Sequence, residues 1–276
     1  GLKKPIVQDE DANAVRRLNQ FTGPFILRRM KSEVLRELPP KTENVRRVEL
    51  ETEQRKLYLA AVVDAREKLR AAKPEDKMTV FAVLMRLREI CCDPRLVADN
   101  WTGSSAKLEA CLELVTDGGG GRAPHSAVQS VHLHAGAVGK AAGRSRGEPL
   151  HPARLYPEPV RAEQVRRFNQ GEADVFLISL RAGGTGLNLT AADIVIHYDP
   201  WWNLAAQNQA TDRAYRIGQR NPVQVYRLIA QDTIEEKIVE LQQAKQSLAD
   251  TVTGGADGAI LSMNPEQLLQ LLGEEA

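Results

Sequence analysis

The residues of this chain with the clearest capacity for chemistry lie in one stretch, Ile178–Gln219. Glycines at 183, 184 and 186 form a loop after the apolar run Val175–Ser179. Glycine lets the main chain approach a phosphate closely and present its N–H groups to it. A glycine-rich turn by itself is weak evidence, because many such turns only reverse the chain. The loop becomes a phosphate candidate only if a second feature supports it.

That second feature is a predicted helix that follows Asn203 and continues to about Ile217. Gln209, Arg213 and Arg216 stand at positions i, i+4 and i+7, so we expect all three on one face. Two guanidinium groups on one face suit a polyanion, because the planar fork of arginine matches phosphate oxygens. The plainer alternative is a solvated basic stripe.

The elements that must position these residues are predicted by apolar patterning. Val175–Ser179 and Ile194–Tyr198 are largely apolar runs, as in strands buried on both faces of a parallel sheet, and Val223–Ile229 is predicted as a third strand. Asp232 and Glu235 resemble a capping box that starts a further helix. The order strand, loop, strand, helix, strand, helix predicts an α/β fold with a parallel sheet.

A helical region is predicted ahead of the sheet, over roughly residues 52–97, with a third helix from about Ser105 to Thr116. The two apolar stripes in that region are Tyr58, Val62, Ala65 and Leu69, then Val80, Leu84, Leu87 and Cys91. Asp93-Pro94 ends the second of these helices.

Residues 118–160 differ in kind from the rest of the chain. They hold four of the five histidines, His125, His132, His134 and His151, and show no periodicity. A metal-binding loop and a disordered insertion are two interpretations of that composition. A third is translation out of frame. Written with permitted codons and read one base later, residues 126–136 give ALFSQFTSML and residues 150–157 give YTLHGST. The same one-base shift applies to both blocks. On this interpretation the four histidines arise from the wrong frame, so they are not candidate metal ligands.

Composition excludes several classes of protein. The chain has 276 residues, 42% of them hydrophobic, and a formal net charge of +1. No run of eighteen apolar residues predicts a membrane span, and the charge balance excludes a strongly basic coat protein. The three cysteines, Cys91, Cys92 and Cys111, form neither a disulfide framework nor a zinc-ligand spacing. We expect a cytoplasmic protein and no bound metal on this chain.

The central stretch resembles one family closely. Three segments look like motifs V and VI of the Swi/Snf-type ATPases of helicase superfamily two, namely SLRAGGTGLNL, DPWWN and QATDRAYRIGQ. Bacterial members of that family are the most similar. The exit from that family's first RecA-like lobe is resembled by residues 24–29 together with 38–41. Residues 84–97 resemble the family's helical protrusion, and residues 105–115 resemble the entry into its second lobe. The out-of-frame words FSQFTS and YTLHGST resemble motif IV of that family and the DNA-contacting turn after it.

The resemblance implies an ATP-driven translocase on double-stranded DNA. Arg213 and Arg216 would then be arginine fingers on the γ-phosphate, as in other phosphoryl transfer enzymes. Gln209 would orient them or touch the nucleotide. The ribose and phosphate side would be lined by Gly184, Gly186 and Asn188, and the DNA backbone contacted by Ser179, Arg181 and Gly183.

The resemblance also implies domains and partners. Residues 1–50 would be the tail of the first lobe and a linker, 51–103 the protrusion, 104–250 the second RecA-like lobe and 251–276 a C-terminal brace helix. The partners would be the DNA backbone, the N-terminal lobe and DNA-bound protein complexes, with no membrane. The cytoplasmic protein would then be associated with the nucleoid.

One departure from the family matters for activity. The sequence contains neither G-x-x-x-x-G-K-S/T nor an Asp-Glu-x-His box, so the groups that hold ATP and Mg²⁺ would belong to the N-terminal lobe. We expect this chain alone to be inactive. If the frame interpretation is right, the lobe also lacks its first strand.

Two other functions stay open from the sequence. A non-catalytic DNA-binding or regulatory remnant of such a lobe would share the motifs, and a P-loop upstream would argue against it. The second lobe of an RNA helicase would share the fold, but DPWWN and YRIGQ argue against that interpretation.

Overall fold

The computed structural model describes residues 38–116, 126–129, 158–178, 187–199, 204–249 and 263–273. The chain divides into two compact units, Gly1–Leu38 and Pro39–Ala276. Every described helix and strand lies in the second unit.

Among the described residues, the centre of this unit is a parallel sheet of five strands in the order β1-β5-β4-β2-β3. The strands are β1 (Lys41–Val48), β2 (Ser126–Gln129), β3 (Val175–Ile178), β4 (Ile194–His197) and β5 (Val223–Ala230). Every residue of β3 and β4 is buried. The predicted parallel α/β fold and its three predicted strands, which correspond to β3, β4 and β5, are therefore confirmed.

Strand β1 is not predicted by the sequence, because its residues lie in the segment assigned to a linker. It pairs with β5 over eight residues, from Lys41 opposite Val223 to Val48 opposite Ala230. It lies at the edge of the sheet formed by the described strands, and most of its side chains are exposed. An exposed edge strand needs no apolar run, which is why hydrophobic patterning does not reveal it.

Strand β2 corrects a second expectation. Residues 126–129 pair with β3 on one side and with β4 on the other, so they form an inner strand. The expectation that this lobe lacks an inner strand is therefore wrong. Two parallel ladders satisfy the main-chain groups of these four residues.

Seven helices and one 3₁₀ turn are described. They are α1 (Thr52–Ala71), α2 (Lys77–Cys92), the turn Pro94–Leu96, α3 (Ala106–Thr116), α4 (Glu158–Asn169), α5 (Leu204–Ala214), α6 (Ile234–Ala249) and α7 (Pro265–Leu271). The predicted helical region and its third helix are confirmed, and both predicted apolar stripes are buried. The Asp76 side chain accepts a hydrogen bond from Thr79 N and caps α2.

Helix α6 starts differently from the prediction. Asp232 does not cap it; Asp232 adopts φ +55°, and Thr233 Oγ1 accepts a hydrogen bond from Glu235 N at 3.2 Å. The Glu235 carboxylate instead accepts from Ala230 N at 2.8 Å and pairs with Lys107 in the core.

Three apolar clusters hold the unit together. The first joins α1 and α2 to Ile234, Ile238 and Leu268 of α6 and α7. The second packs α3 on one side of the sheet, and the third packs Phe168 and Ala214 against the sheet strands. None of the described helices is both long enough and apolar enough to span a bilayer.

Candidate functional site

Helix α5 presents two of the candidate residues away from the core. Gln207 and Thr211 are buried on the side of α5 that faces the sheet. Gln209 is exposed and Arg213 is half-buried, one helical turn apart on the outer side. Their shared face agrees with the prediction from spacing.

Arg216 does not share that face, which corrects the prediction. Helix α5 ends at Ala214, and Arg216 lies exposed in the turn that follows. The turn is closed by Gln219 N, which donates to Arg216 O at 3.0 Å. Gly218 within it adopts φ +103°, a conformation that favours glycine and cannot continue a helix. Arg213 and Arg216 are therefore placed by two different local structures.

The loop before β4 contacts the end of α5. Leu189 N donates to Arg213 O at 2.9 Å, which brings the neighbouring candidate Asn188 to the helix terminus. Asn169 at the end of α4 holds this loop from the other side, because its amide donates to Asn188 O at 2.8 Å and accepts from Ala191 N at 3.2 Å. The Asn188 residue itself is exposed.

These contacts put Asn188 and Arg216 at the amino-terminal edge of the sheet. The loop with Asn188 precedes β4, and the turn with Arg216 precedes β5. The remaining candidates, Ser179, Arg181, Gly183, Gly184 and Gly186, lie outside the described residues. Ser179 follows Ile178, the last residue of β3, in the sequence.

A buried histidine connects β4 to α5. His197 Nε2 and Thr211 Oγ1 lie 2.9 Å apart and share a hydrogen bond. Burial, with help from the positive charge of Arg227, lowers the pKa of His197 to about 3. The imidazole is therefore neutral at pH 7 and acts as a packing and hydrogen-bonding group under the helix that carries Arg213.

A buried ion pair anchors the end of β4, the strand that precedes α5 in the chain. Asp199 follows β4, and its carboxylate pairs with the Arg88 guanidinium of α2, both side chains having no exposed surface. Burial lowers and the Asp199 charge raises the pKa of Arg88, and the net direction is upward. The adjacent Tyr198 hydroxyl donates to Cys92 O at 2.6 Å. The helical region and the strand that leads into α5 are thus tied together.

One group of described residues has the spacing of a metal site. Ligand atoms of Cys92, Asp199 and Glu235 lie within 4.8 Å of one another. Each carboxylate already pairs with a cation, Arg88 or Lys107. Burial raises the pKa of the Cys92 thiol well above its usual value, so the thiol stays protonated. We interpret the group as a neutral ion network, since a divalent cation would add uncompensated charge.

Sequence reasoning missed three residues that organise the site. Gln219 stands in the motif stretch, yet nothing in its spacing distinguishes it from an exposed glutamine. Asn169 and His197 lie outside the arginine pattern. The one available signal was residue type, because a polar residue beside an apolar strand needs a hydrogen-bond partner.

Two family models match the chain. The SNF2-related domain matches residues 2–96, and the helicase conserved C-terminal domain matches residues 149–218. Residues 97–148 lie in neither match.

Similar proteins agree with these matches. The chain is 37% identical over 265 residues to an uncharacterized ATP-dependent helicase of Mycoplasma pneumoniae, covering 92% of this chain and 25% of that protein. It is 37% identical over 279 residues to the putative ATP-dependent helicase/translocase YwqA of Bacillus subtilis, covering 97% and 30%. It therefore spans about a quarter to a third of the length of these relatives.

A solved structure shows the same fold. The Sulfolobus solfataricus SWI2/SNF2 ATPase core in complex with double-stranded DNA is 28% identical to this chain, with a TM-score of 0.65. The match covers 98% of this chain and 58% of that one.

Proposed function

The chain belongs to the Swi/Snf family of helicase-type ATPases, and from that premise we propose that it supplies the second lobe of an ATP-dependent translocase on double-stranded DNA. One observation carries the proposal. That observation is the hydrogen bond from Leu189 N to Arg213 O. It supports a common site for Arg213 at the end of α5, Arg216 in the turn after it and Asn188 in the loop before β4.

In this proposal Arg213 and Arg216 are arginine fingers. When the two lobes close, the guanidinium groups of Arg213 and Arg216 stabilise the negative charge that develops on the transferred γ-phosphoryl group. Arg213 is half-buried and Arg216 is exposed, so both residues reach the surface of this lobe. Gln209, one turn before Arg213, would orient the arginine or touch the nucleotide.

The ribose and phosphate side of the nucleotide would be lined by Asn188, Gly184 and Gly186. Asn188 supports this role because its main chain is held in place by Asn169 while the residue stays exposed. Glycines nearby would let the main chain approach phosphate oxygens closely.

DNA would be contacted through its phosphates by Ser179, Arg181 and Gly183. Such contacts position a protein on the duplex without reading sequence, which suits a translocase that must move along any DNA. The Swi/Snf core solved with double-stranded DNA supports this choice of substrate.

ATP and Mg²⁺ would be held mainly by the N-terminal lobe. Phosphate-cradling and Mg²⁺-binding motifs are missing from these 276 residues, so the chain alone would not hydrolyse ATP at a useful rate. Mg²⁺, when bound, would neutralise phosphate charge, and Arg213 and Arg216 would add to that stabilisation from this lobe.

The test compares this 276-residue chain with the longer ATPase of which we propose it is a part. We expect DNA-stimulated phosphate release from the longer protein and none from the chain alone. Adding the separately produced first lobe to the chain should restore part of the activity. If the longer protein binds DNA but releases no phosphate with or without it, the non-catalytic remnant is the better interpretation.

A further inference from the structure

We infer that Gln219 is a positioning residue for the two arginine fingers; this inference rests on the proposed function. The Gln219 side chain is buried, and its amide makes four hydrogen bonds. Nε2 donates to Ala192 O at 2.7 Å and to Ala214 O at 3.3 Å. Oε1 accepts from Arg220 N at 2.8 Å and from Asn221 N at 2.9 Å. All the donors and acceptors of a primary amide are thereby used.

The four bonds join three separate segments of the chain. Ala214 is the last residue of α5, and its carbonyl is one of those that a helix leaves without an internal partner. Ala192 belongs to the loop that bonds to Arg213 through Leu189, and Arg220 leads into β5. One side chain thus fixes the helix end, the loop before β4 and the approach to β5.

Arg216 lies inside the segment that Gln219 closes. Two residues before Arg216, the Ala214 carbonyl accepts from Gln219 Nε2. The carbonyl of Arg216 itself accepts from Gln219 N. The Arg216 residue is exposed. The position of its main chain therefore sets the region that the guanidinium group can reach. Arg213 is held by the same network through its own carbonyl.

A finger must meet the phosphoryl group within a small tolerance, and an error of about 1 Å can cost about a hundredfold in rate. Loss of the Gln219 bonds should therefore lower kcat while leaving the KM for ATP nearly unchanged, because the first lobe would supply most ground-state binding.

The test uses Gln219→Glu in the longer ATPase. This isosteric change keeps the acceptor oxygen and removes both donations to main-chain carbonyls. The matched control is Gln54→Glu in the helical region. Gln54 is also a buried glutamine; its Nε2 donates to Ile90 O at 2.8 Å and to Cys91 O at 3.4 Å, and its Oε1 accepts from Ala106 N at 3.2 Å.

We expect both variants to lower Tm by a similar amount. At a temperature where both are folded, Gln219→Glu should lower kcat about tenfold or more, with the KM for ATP within about threefold. Gln54→Glu should keep kcat within about twofold of wild type. In an Arg216→Lys background, which removes the planar fork but keeps the charge, Gln219→Glu should cost less than it does alone.

The inference is overturned if Gln219→Glu keeps kcat, if Gln54→Glu lowers kcat equally, or if the losses in the Arg216→Lys background are fully additive. Should Gln219→Glu be unfolded at the assay temperature, Gln219→Met is measured against the same criteria at a lower temperature. Failure of the proposed function is distinct, because the unsubstituted longer protein would then release no phosphate, and failure of the finger assignment would leave turnover in Arg213→Ala and Arg216→Ala.

Discussion

The Lys107 ammonium lies 2.9 Å from both carboxylate oxygens of Glu235, and neither side chain has any exposed surface. Lys107 comes from α3 and Glu235 from α6. Burial lowers and the Glu235 charge raises the pKa of Lys107, and the net direction is upward. Burial raises the pKa of Glu235 and the Lys107 charge opposes that rise, with a net upward direction. Both Glu235 oxygens accept from one ammonium at 2.9 Å, which is the geometry of an ion pair, and Ala230 N donates to the same carboxylate, so the pair joins α3 and α6 to the end of β5.

The first prediction concerns this pair. Glu235→Gln should lower the free energy of unfolding by about 3–5 kcal/mol, because it leaves a buried ammonium without its counter-charge. The double substitution Lys107→Met with Glu235→Leu should cost much less, since no lone charge remains. Urea unfolding at pH 7 measures both. A double variant as unstable as Glu235→Gln would show that packing, and not the charge, accounts for the loss.

The second prediction concerns the proposed fingers. In the longer ATPase, Arg213→Ala or Arg216→Ala should lower kcat by about a thousandfold, because charge on the transferred phosphoryl group loses its stabilisation. ATP binding, measured by a fluorescent nucleotide, should change little. Arg220→Ala, an exposed arginine four residues after Arg216, is the control and should keep normal turnover. Normal turnover in Arg216→Ala would rule out the finger assignment for that residue.

The third prediction concerns DNA. Arg181→Ala should weaken DNA stimulation of ATP hydrolysis and reduce the slope of log affinity against log salt concentration by about 0.9. Arg86→Ala, an exposed arginine of α2, provides the comparison. If Arg181→Ala is stimulated as fully as wild type at moderate salt, Arg181 does not meet DNA.

The fourth prediction is a pH dependence that arises from His197. Its pKa is about 3 in the folded chain, against 6.5 as the ordinary value. The unfolded state therefore binds the extra proton as pH falls below 6.5, and stability decreases in that direction. Between about pH 6.5 and 5 the loss should be about 2 kcal/mol. His197→Gln keeps a polar group near Thr211 without that proton, so its stability should change less over the same range. Equal pH profiles of the two proteins would contradict this assignment.

The fifth prediction concerns residues 118–160. Re-sequencing codons 115–165 should reveal an inserted or deleted base near codon 120 and a compensating change near codon 160. The gap between the two family matches, residues 97–148, includes most of this segment. Inner parallel strands are usually apolar on both faces, and the shifted frame gives Ala-Leu-Phe at the positions of Ser126, Ala127 and Val128.

A chain rebuilt in the shifted frame tests the same idea at the protein level. We expect it to unfold at a higher urea concentration than the present chain, because larger apolar residues would occupy an inner strand. A clean coding frame with no gain in stability would favour a degenerate, non-hydrolysing remnant instead.

The sequence by itself determined the parts of the fold that depend on local patterning. Residues 175–178 and 194–196 favoured buried strands because each run is apolar without alternation. The stripes of α1 and α2 arise from helical spacing in the same way. The family was also accessible from sequence, because QATDRAYRIGQ is a specific chemical pattern.

Tertiary structure decided what depends on residues far apart in the chain. Strand β1 exists because β5 offers it a partner, and nothing within Lys41–Val48 indicates that partner. Arg88 and Asp199 pair across 111 residues, and only the packing of α2 beside the sheet brings them together. The end of α5 at Ala214 is stabilised by Gln219, whose hydrogen bonds reach the loop before β4. Spacing predicts which residues share a helix face, but where a helix ends depends on which groups can satisfy its last carbonyls, and those groups are supplied by the folded chain.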